Sequence, residues 1–265
     1  MRRIIGRFLL ALLAASAASC GVLDSVQREL IFRPVTEDWS GYSPDIAREE
    51  QVWIAVGGAG ERLHGWWLAS PGAQYTIVFF HGAQVNLSGS VHRLDAFRDA
   101  GYNVLAVDYR GFGKSSPARP SERSVYEDAL AAWRWLDERE PRADRRILYG
   151  HSLGGAIAAE VALRGGKAAA LVLESSFTSI GDVTALGALI TQPLDLLEKL
   201  RRLELPVVIL HGAEDSMVPP EMAARLYEAA RGRKRLLLVE GAGHRLVALR
   251  AGDVLYDALR EIVAQ

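Results

Sequence analysis

Gly150-His151-Ser152-Leu153-Gly154 stands between the apolar run Ile147-Leu148-Tyr149 and the stretch Gly155 to Glu160. No other feature limits the fold as much. It reads as a strand, a tight turn carrying one serine, and a helix. The serine backbone is strained in so sharp a turn, and side chains two residues to either side would collide with the neighbouring strand and helix. Glycine at both places removes the collision. Held this way, Ser152 Oγ stands above the sheet, and the N–H of Leu153 at the helix start points at developing negative charge. Five-residue matches also arise in ordinary glycine-rich turns, so the flanking strand and helix carry much of the weight.

Two more reactive side chains follow in order. After the strand-like Pro206 to Leu210 comes His211-Gly212-Ala213-Glu214-Asp215, which places an acid in a loop at a strand end. Asp215 is the expected acid, with its neighbour Glu214 and the strand-end Glu174 as alternatives. Arg235 to Glu240 then runs into Gly241-Ala242-Gly243-His244, leaving His244 on a glycine-lined loop as the expected base. The order Ser, Asp, His differs from the chymotrypsin and subtilisin orders.

That order, together with Phe79-Phe80-His81-Gly82-Ala83 and Asp108-Tyr109-Arg110-Gly111-Phe112-Gly113, resembles the α/β-hydrolase fold superfamily, and within it the BEM46-like small serine hydrolases. The resemblance implies a Ser152, Asp215, His244 triad and an oxyanion hole from the backbone N–H groups of Leu153 and Ala83. Members often carry asparagine where this chain has Ala83, but a backbone donor does not depend on that side chain. It also implies cleavage of a small-molecule carboxylic ester or thioester through an acyl-enzyme, without a cofactor. A peptidase or amidase using the same triad, and a non-catalytic binding protein on the same fold, remain alternatives. Serine at the turn argues against dehalogenase chemistry, which uses aspartate there.

The other histidines and the tryptophans have simpler readings. His151 is expected to point to the opposite side of the turn, and His81 and His211 to hold loops. His64 and His92 carry no pattern. Trp66, Trp67, Trp133 and Trp135 are expected in packing, and Asp108 and Arg110 as braces of the loop around the site. There is no H-E-x-x-H, paired-cysteine motif or acidic calcium loop, so the motifs give no support for a metal site.

The first twenty residues differ from the rest: Arg2, Arg3 and Arg7 precede an apolar stretch from Phe8 to Ala15, then small residues up to Cys20, the single cysteine. This reads as a signal segment, with an apolar part shorter than the ~20 residues of a comfortable span. Ala17-Ala18-Ser19-Cys20-Gly21 resembles a bacterial lipoprotein processing box, although Ala17 departs from the usual larger side chain. Lipidation of Cys20, ordinary cleavage near Ala15-Ser16-Ala17 and an uncleaved anchor remain open. Each exports the catalytic domain, and the first holds it on the membrane of a bacterial cell envelope. A lone cysteine makes no internal disulfide, so the core must hold the fold.

With 49% hydrophobic and 24% charged residues and a formal charge of −1, the chain has the composition of a globular protein. The basic stretch Arg231 to Arg235 reads as a solvated turn before a strand; nothing points to nucleic acid. Residues 21–50 form a tether and lead-in, and residues 51–265 one domain. Its pattern is a hairpin over Gln51 to Val56 and Arg62 to Ala69, then strands and helices by turns, closing with one helix from Leu246 to Val263. The expected class is α/β: a mostly parallel sheet covered by helices on both faces, with the site above the strands' carboxyl ends and a short helical cap over residues 176–203.

Overall fold

Thr76–Phe80, Arg146–His151, Ala170–Glu174 and Val207–Gly212 are buried along their whole length, as parallel strands covered on both faces must be. They are β3, β5, β6 and β7 in a computed structural model that describes residues 21–39, 50–58, 60–184 and 187–264. The leader and Cys20 lie outside the described residues, as does the part of the lead-in from 40 to 49. With β1 (Glu50–Ala55), β2 (Arg62–Leu68), β4 (Asn103–Val107) and β8 (Lys234–Val239), these strands form one eight-stranded sheet in the order β1-β2-β4-β3-β5-β6-β7-β8. The expected hairpin pairs Glu50 with Trp67 and Ala55 with Arg62. It joins the sheet antiparallel to β4, and every later pairing is parallel.

Strand alternation divides the apolar side chains between two cores. Val78, Phe80 and Leu148 pack with α3 (Glu122–Asp137), α4 (Leu153–Leu163) and α7 (Pro220–Ala229) on one face. Ile77, Phe79 and Tyr149 pack with α2 (Val91–Asp99) and α9 (Asp253–Val263) on the other. The start of α3 is secured by a reciprocal cap between Ser121 and Ser124. Residues 21–32 form helix α1, whose Phe32 is fully buried in the first core.

Three segments differ in detail from the sequence expectation. The closing helix is two: α8 (Val247–Ala251) and α9 meet at Gly252, whose φ of 52° and ψ of −130° interrupt the helix. Apolar periodicity continues across that glycine, so the pattern does not register the break. Residues 176–203 do hold short helices, α5 (Ile180–Val183), a 3-10 turn (Gly187–Leu189) and α6 (Leu196–Leu200). Leu196 and Leu200 of α6 are fully buried in the first core, and none of the segment's described residues lines the pocket described below. Finally, residues 21–32 are more than a tether. Arg28 Nε donates to Pro120 O at 2.8 Å and Gln27 Nε2 to Leu189 O at 2.8 Å, so α1 is fastened across the segments that follow β4 and β6.

Candidate active site

Ser152 joins β5 to α4 with φ of 54°, a left-handed conformation that non-glycine residues rarely take and that costs on the order of 1–3 kcal/mol. The glycines beside it fit where nothing larger would. A Cβ on Gly150 would lie 2.2 Å from Gly154 O, and one on Gly154 would lie 2.0 Å from Phe80 O. Both obstacles are backbone, so a side chain could not be accommodated by a rotamer change. Ser152 N–H donates to Glu174 O at 2.8 Å, which pins the turn to the end of β6.

Asp215 and His244 arrive from the loops after β7 and β8 and meet Ser152. His244 Nε2 lies 3.1 Å from Ser152 Oγ, and His244 Nδ1 lies 2.8 Å from Asp215 Oδ2. The three side chains thus form a continuous hydrogen-bonded chain with the carboxylate buried at its far end. Met217 and Val218 donate their backbone N–H groups to Asp215 Oδ1, each at 2.9 Å. Burial works against the Asp215 charge, but hydrogen bonds from His211, His244 and Val218 outweigh it and hold the carboxyl well below the usual range. An ionised Asp215 favours the His244 tautomer with its proton on Nδ1, which leaves Nε2 free to accept from Ser152.

The alternative acids are placed elsewhere. Glu214 is exposed. Glu174 is fully buried and already engaged: Arg93 Nε lies 2.9 Å away, Tyr149 OH donates at 3.0 Å and Ala248 N–H at 3.0 Å. Burial alone would raise the Glu174 carboxyl, yet Arg93 and the Ala248 N–H bring it below the ordinary value. His151 departs from expectation. It lines the pocket, and its Nε2 lies 3.2 Å from His244 O. The reason is strand alternation: β5 continues through His151, which therefore shares the face of Tyr149, where α8 and the His244 loop pack. Desolvation is the main cause lowering its pKa to about 3, so it is neutral at ordinary pH and serves as a donor to the His244 carbonyl.

The remaining residues mostly brace. His81 Nε2 lies 3.5 Å from Asp108 Oδ1, and Leu87 N–H donates to the same oxygen at 3.0 Å, which ties the loop after β3 to that after β4. His211 Nε2 lies 2.9 Å from Val218 O. Arg110 pairs with Asp128, Glu127 and Glu61 and does not line the pocket. His64 is buried 3.6 Å from Asp108. Trp67 and Trp135 pack together with ring centroids 6.1 Å apart, and Trp66 and Trp133 are buried.

Ser152 opens onto a cavity of about 340 Å³. Leu153 begins α4, so its N–H is one of the helix donors without an intrahelical acceptor. Ala83 is on the cavity wall, next to Gly82, where a Cβ would stand 3.3 Å from Ser152 Cβ. Three wall residues, Gln84, Ser152 and Leu246, have positive φ, a concentration of backbone strain of the kind found at functional sites. Sequence reasoning missed Trp39, Met217, Leu246 and Arg245 in this wall. Trp39 is held by its N–H donating to Ser88 Oγ at 2.7 Å, with the Arg245 guanidinium 5.6 Å from its ring. No local motif marks it, because its neighbours come from the 3-10 turn at Leu87–Ser90 and from the His244 loop. Among the described residues, no group of three or more His, Cys, Asp or Glu is placed to hold a metal ion.

A family model described as serine aminopeptidase, S33, matches residues 71–194 and 183–248. The chain belongs to this α/β-hydrolase family. The human alpha/beta hydrolase domain-containing protein 17B is 34% identical over 201 residues, covering 74% of this chain and 68% of that protein. An esterase structure from Pyrococcus furiosus superposes with a TM-score of 0.71 at 20% identity, covering 88% of this chain and 97% of that one. The esterase domain of a Rhodothermus marinus protein superposes at 0.62 with 27% identity, covering 82% and 100%.

Proposed function

We propose that this hydrolase cleaves carboxylic esters or thioesters through an acyl-enzyme on Ser152. The observation that carries the reading is the pair of hydrogen bonds, 3.1 Å from Ser152 to His244 and 2.8 Å from His244 to Asp215. As Oγ attacks the carbonyl carbon, His244 Nε2 takes its proton and Asp215 stabilises the resulting imidazolium. The carbonyl oxygen gains its charge near the N–H groups of Leu153 and Ala83, and each such donor is worth about 3 kcal/mol in the transition state. The acyl C–O or C–S bond then breaks, and His244 returns the proton to the leaving alcohol or thiol. Water, deprotonated by His244, attacks the acyl carbon and releases the acid and free Ser152.

The cavity wall favours an ester over an amino-terminal peptide, the substrate that the family description suggests. Trp39, Val85, Val91 and Leu246 suit an acyl chain, and among the described residues no Asp or Glu lines the cavity to pair with a substrate ammonium. Fluorophosphonate labelling of Ser152, with p-nitrophenyl esters of two to twelve carbons alongside aminoacyl p-nitroanilides, tests this. The expected result is labelling, ester turnover rising from acetate toward medium chains, and little anilide turnover. Preferred anilide turnover would establish the peptidase reading, and a folded protein that neither labels nor turns over any ester would point to a binding role.

The leader extends the proposal to location. Export by residues 1–20 with a lipid on Cys20 would place the hydrolase at the bacterial envelope. Incorporation of labelled palmitate that disappears in Cys20→Ala is the expected outcome. Equal labelling in both chains would remove the lipid from Cys20.

A further inference from the structure

Helix α1 turns Asp24, Gln27 and Arg28 inward beside Ile31 and Phe32, and carries Val22, Leu23, Val26 and Leu30 on its outer side. Gln27, 2% exposed, donates to Leu189 O and accepts from the Thr191 N–H at 2.8 Å. Asp24 accepts from Gln192 Nε2 at 2.8 Å, and Arg28 donates to Pro120 O. Meanwhile Val22 is 64% exposed, Val26 51% and Leu30 63%, with Leu23 beside them at 38%. Residues at i, i+4 and i+8 form one row along a helix, so these are a continuous apolar ridge about 12 Å long. A surface helix in a water-surrounded protein keeps charged and polar side chains on such an outer face. Placing it this way leaves apolar surface in water while polar groups are desolvated, a pattern that makes sense when something apolar covers the outer side.

We propose that this ridge rests on a lipid bilayer and seats the enzyme with its site toward the membrane surface. The inference is independent of the reaction class. Three observations choose lipid over another covering. The ridge begins at Val22, two residues after Cys20 and close behind the apolar run from Phe8 to Ala15, so chain with an affinity for lipid leads directly into it. The ridge is also only three side chains in a row with Leu23 beside them, well short of the ~800 Å² per partner that a stable protein interface buries. Lastly, α1 crosses the segments following β4 and β6, on the carboxyl edge of the sheet, and the triad comes from the loops after β5, β7 and β8 on that same edge. Its chain continues from Phe32, whose carbonyl accepts from the pocket residue Gln84, to Trp39 at the pocket mouth, 46% exposed. Charges beside the ridge are mixed, with Glu29, Arg33 and Arg119 exposed. Hydrophobic insertion therefore dominates, and binding should depend little on salt or on anionic lipid.

The single cysteine of the chain makes the test direct. In full-length Cys20→Ala, Val26→Cys or Leu30→Cys is labelled with an environment-sensitive fluorophore and mixed with phosphatidylcholine vesicles, and Leu238→Cys on β8 serves as the control. The expected result is a blue shift at 26 and 30 that appears only with vesicles, is quenched by nitroxides placed shallowly in the acyl region, persists in 0.5 M salt and is absent at 238. Replacing Val22, Val26 and Leu30 by serine should weaken vesicle partition of the Cys20→Ala chain by about tenfold or more. Labels that stay water-like on vesicles, absence of binding, or an equal response at 238 would overturn the proposal. So would labels already shielded without vesicles, which would assign the ridge to residues of the chain itself or to a second copy.

Discussion

Ser152→Ala is expected to lower kcat/KM for p-nitrophenyl butyrate by about 10⁴- to 10⁶-fold, and adding His244→Ala to it should lower the rate little further. The near-complete loss follows from geometry. Ser152 Oγ is the reacting atom in the proposed mechanism, and His244 Nε2, 3.1 Å away, is its proton acceptor. Neither does chemistry without the other, so their losses do not add. The residual rate reflects what the Leu153 and Ala83 donors and the cavity contribute by themselves. Melting temperature should hardly change, since alanine keeps the Cβ and the backbone with its φ of 54°. Steady-state kinetics on the single and double variants, with circular dichroism to confirm folding, checks this. Wild-type turnover in Ser152→Ala would remove the serine from the chemistry altogether.

Glu174→Ala is expected to cost about 3–5 kcal/mol of stability, because it leaves the buried Arg93 guanidinium without its counter-charge. Arg93 is 6% exposed and Glu174 not at all. The Tyr149 hydroxyl and Ala248 N–H lose their acceptor in the same step. Ala248 belongs to α8, the element that follows the His244 loop, so the damage should also reach the rate. Glu174→Gln keeps the side-chain size and an acceptor oxygen but not the charge, and should lose less. Urea unfolding of both variants, with kcat measured where they remain folded, separates the two effects. A loss below about 1 kcal/mol in Glu174→Ala would mean that water readily takes the place of the carboxylate.

Much of the fold was legible because its signals are local. The apolar runs Ile77 to Phe80 and Val207 to Leu210 could be buried parallel strands, and so they are. The hairpin appears where alternation flanks the glycines near residue 58. Helix Leu246 to Val263 was legible only as one element, since a 3.6-residue pattern does not register the backbone turn at Gly252. At the site, the glycines around Ser152 and the loops bearing Asp215 and His244 were readable from spacing and chain order.

By itself the sequence determined which residues must be glycine, which strands must be buried, and which serine, acid and histidine could combine. The first two follow from the geometry of a strand and a turn, and the third from chain order and the resemblance it carries. Only the tertiary structure decided that Glu174 pairs with Arg93, 81 residues away, that His151 faces the His244 loop, that Trp39 walls the cavity and that α1 carries Val22, Val26 and Leu30 outward. Those outcomes depend on strand order and on which segments pack against one another across the sheet. No local pattern encodes contacts between residues so far apart in the chain, because they exist only once the sheet has brought distant loops to one edge.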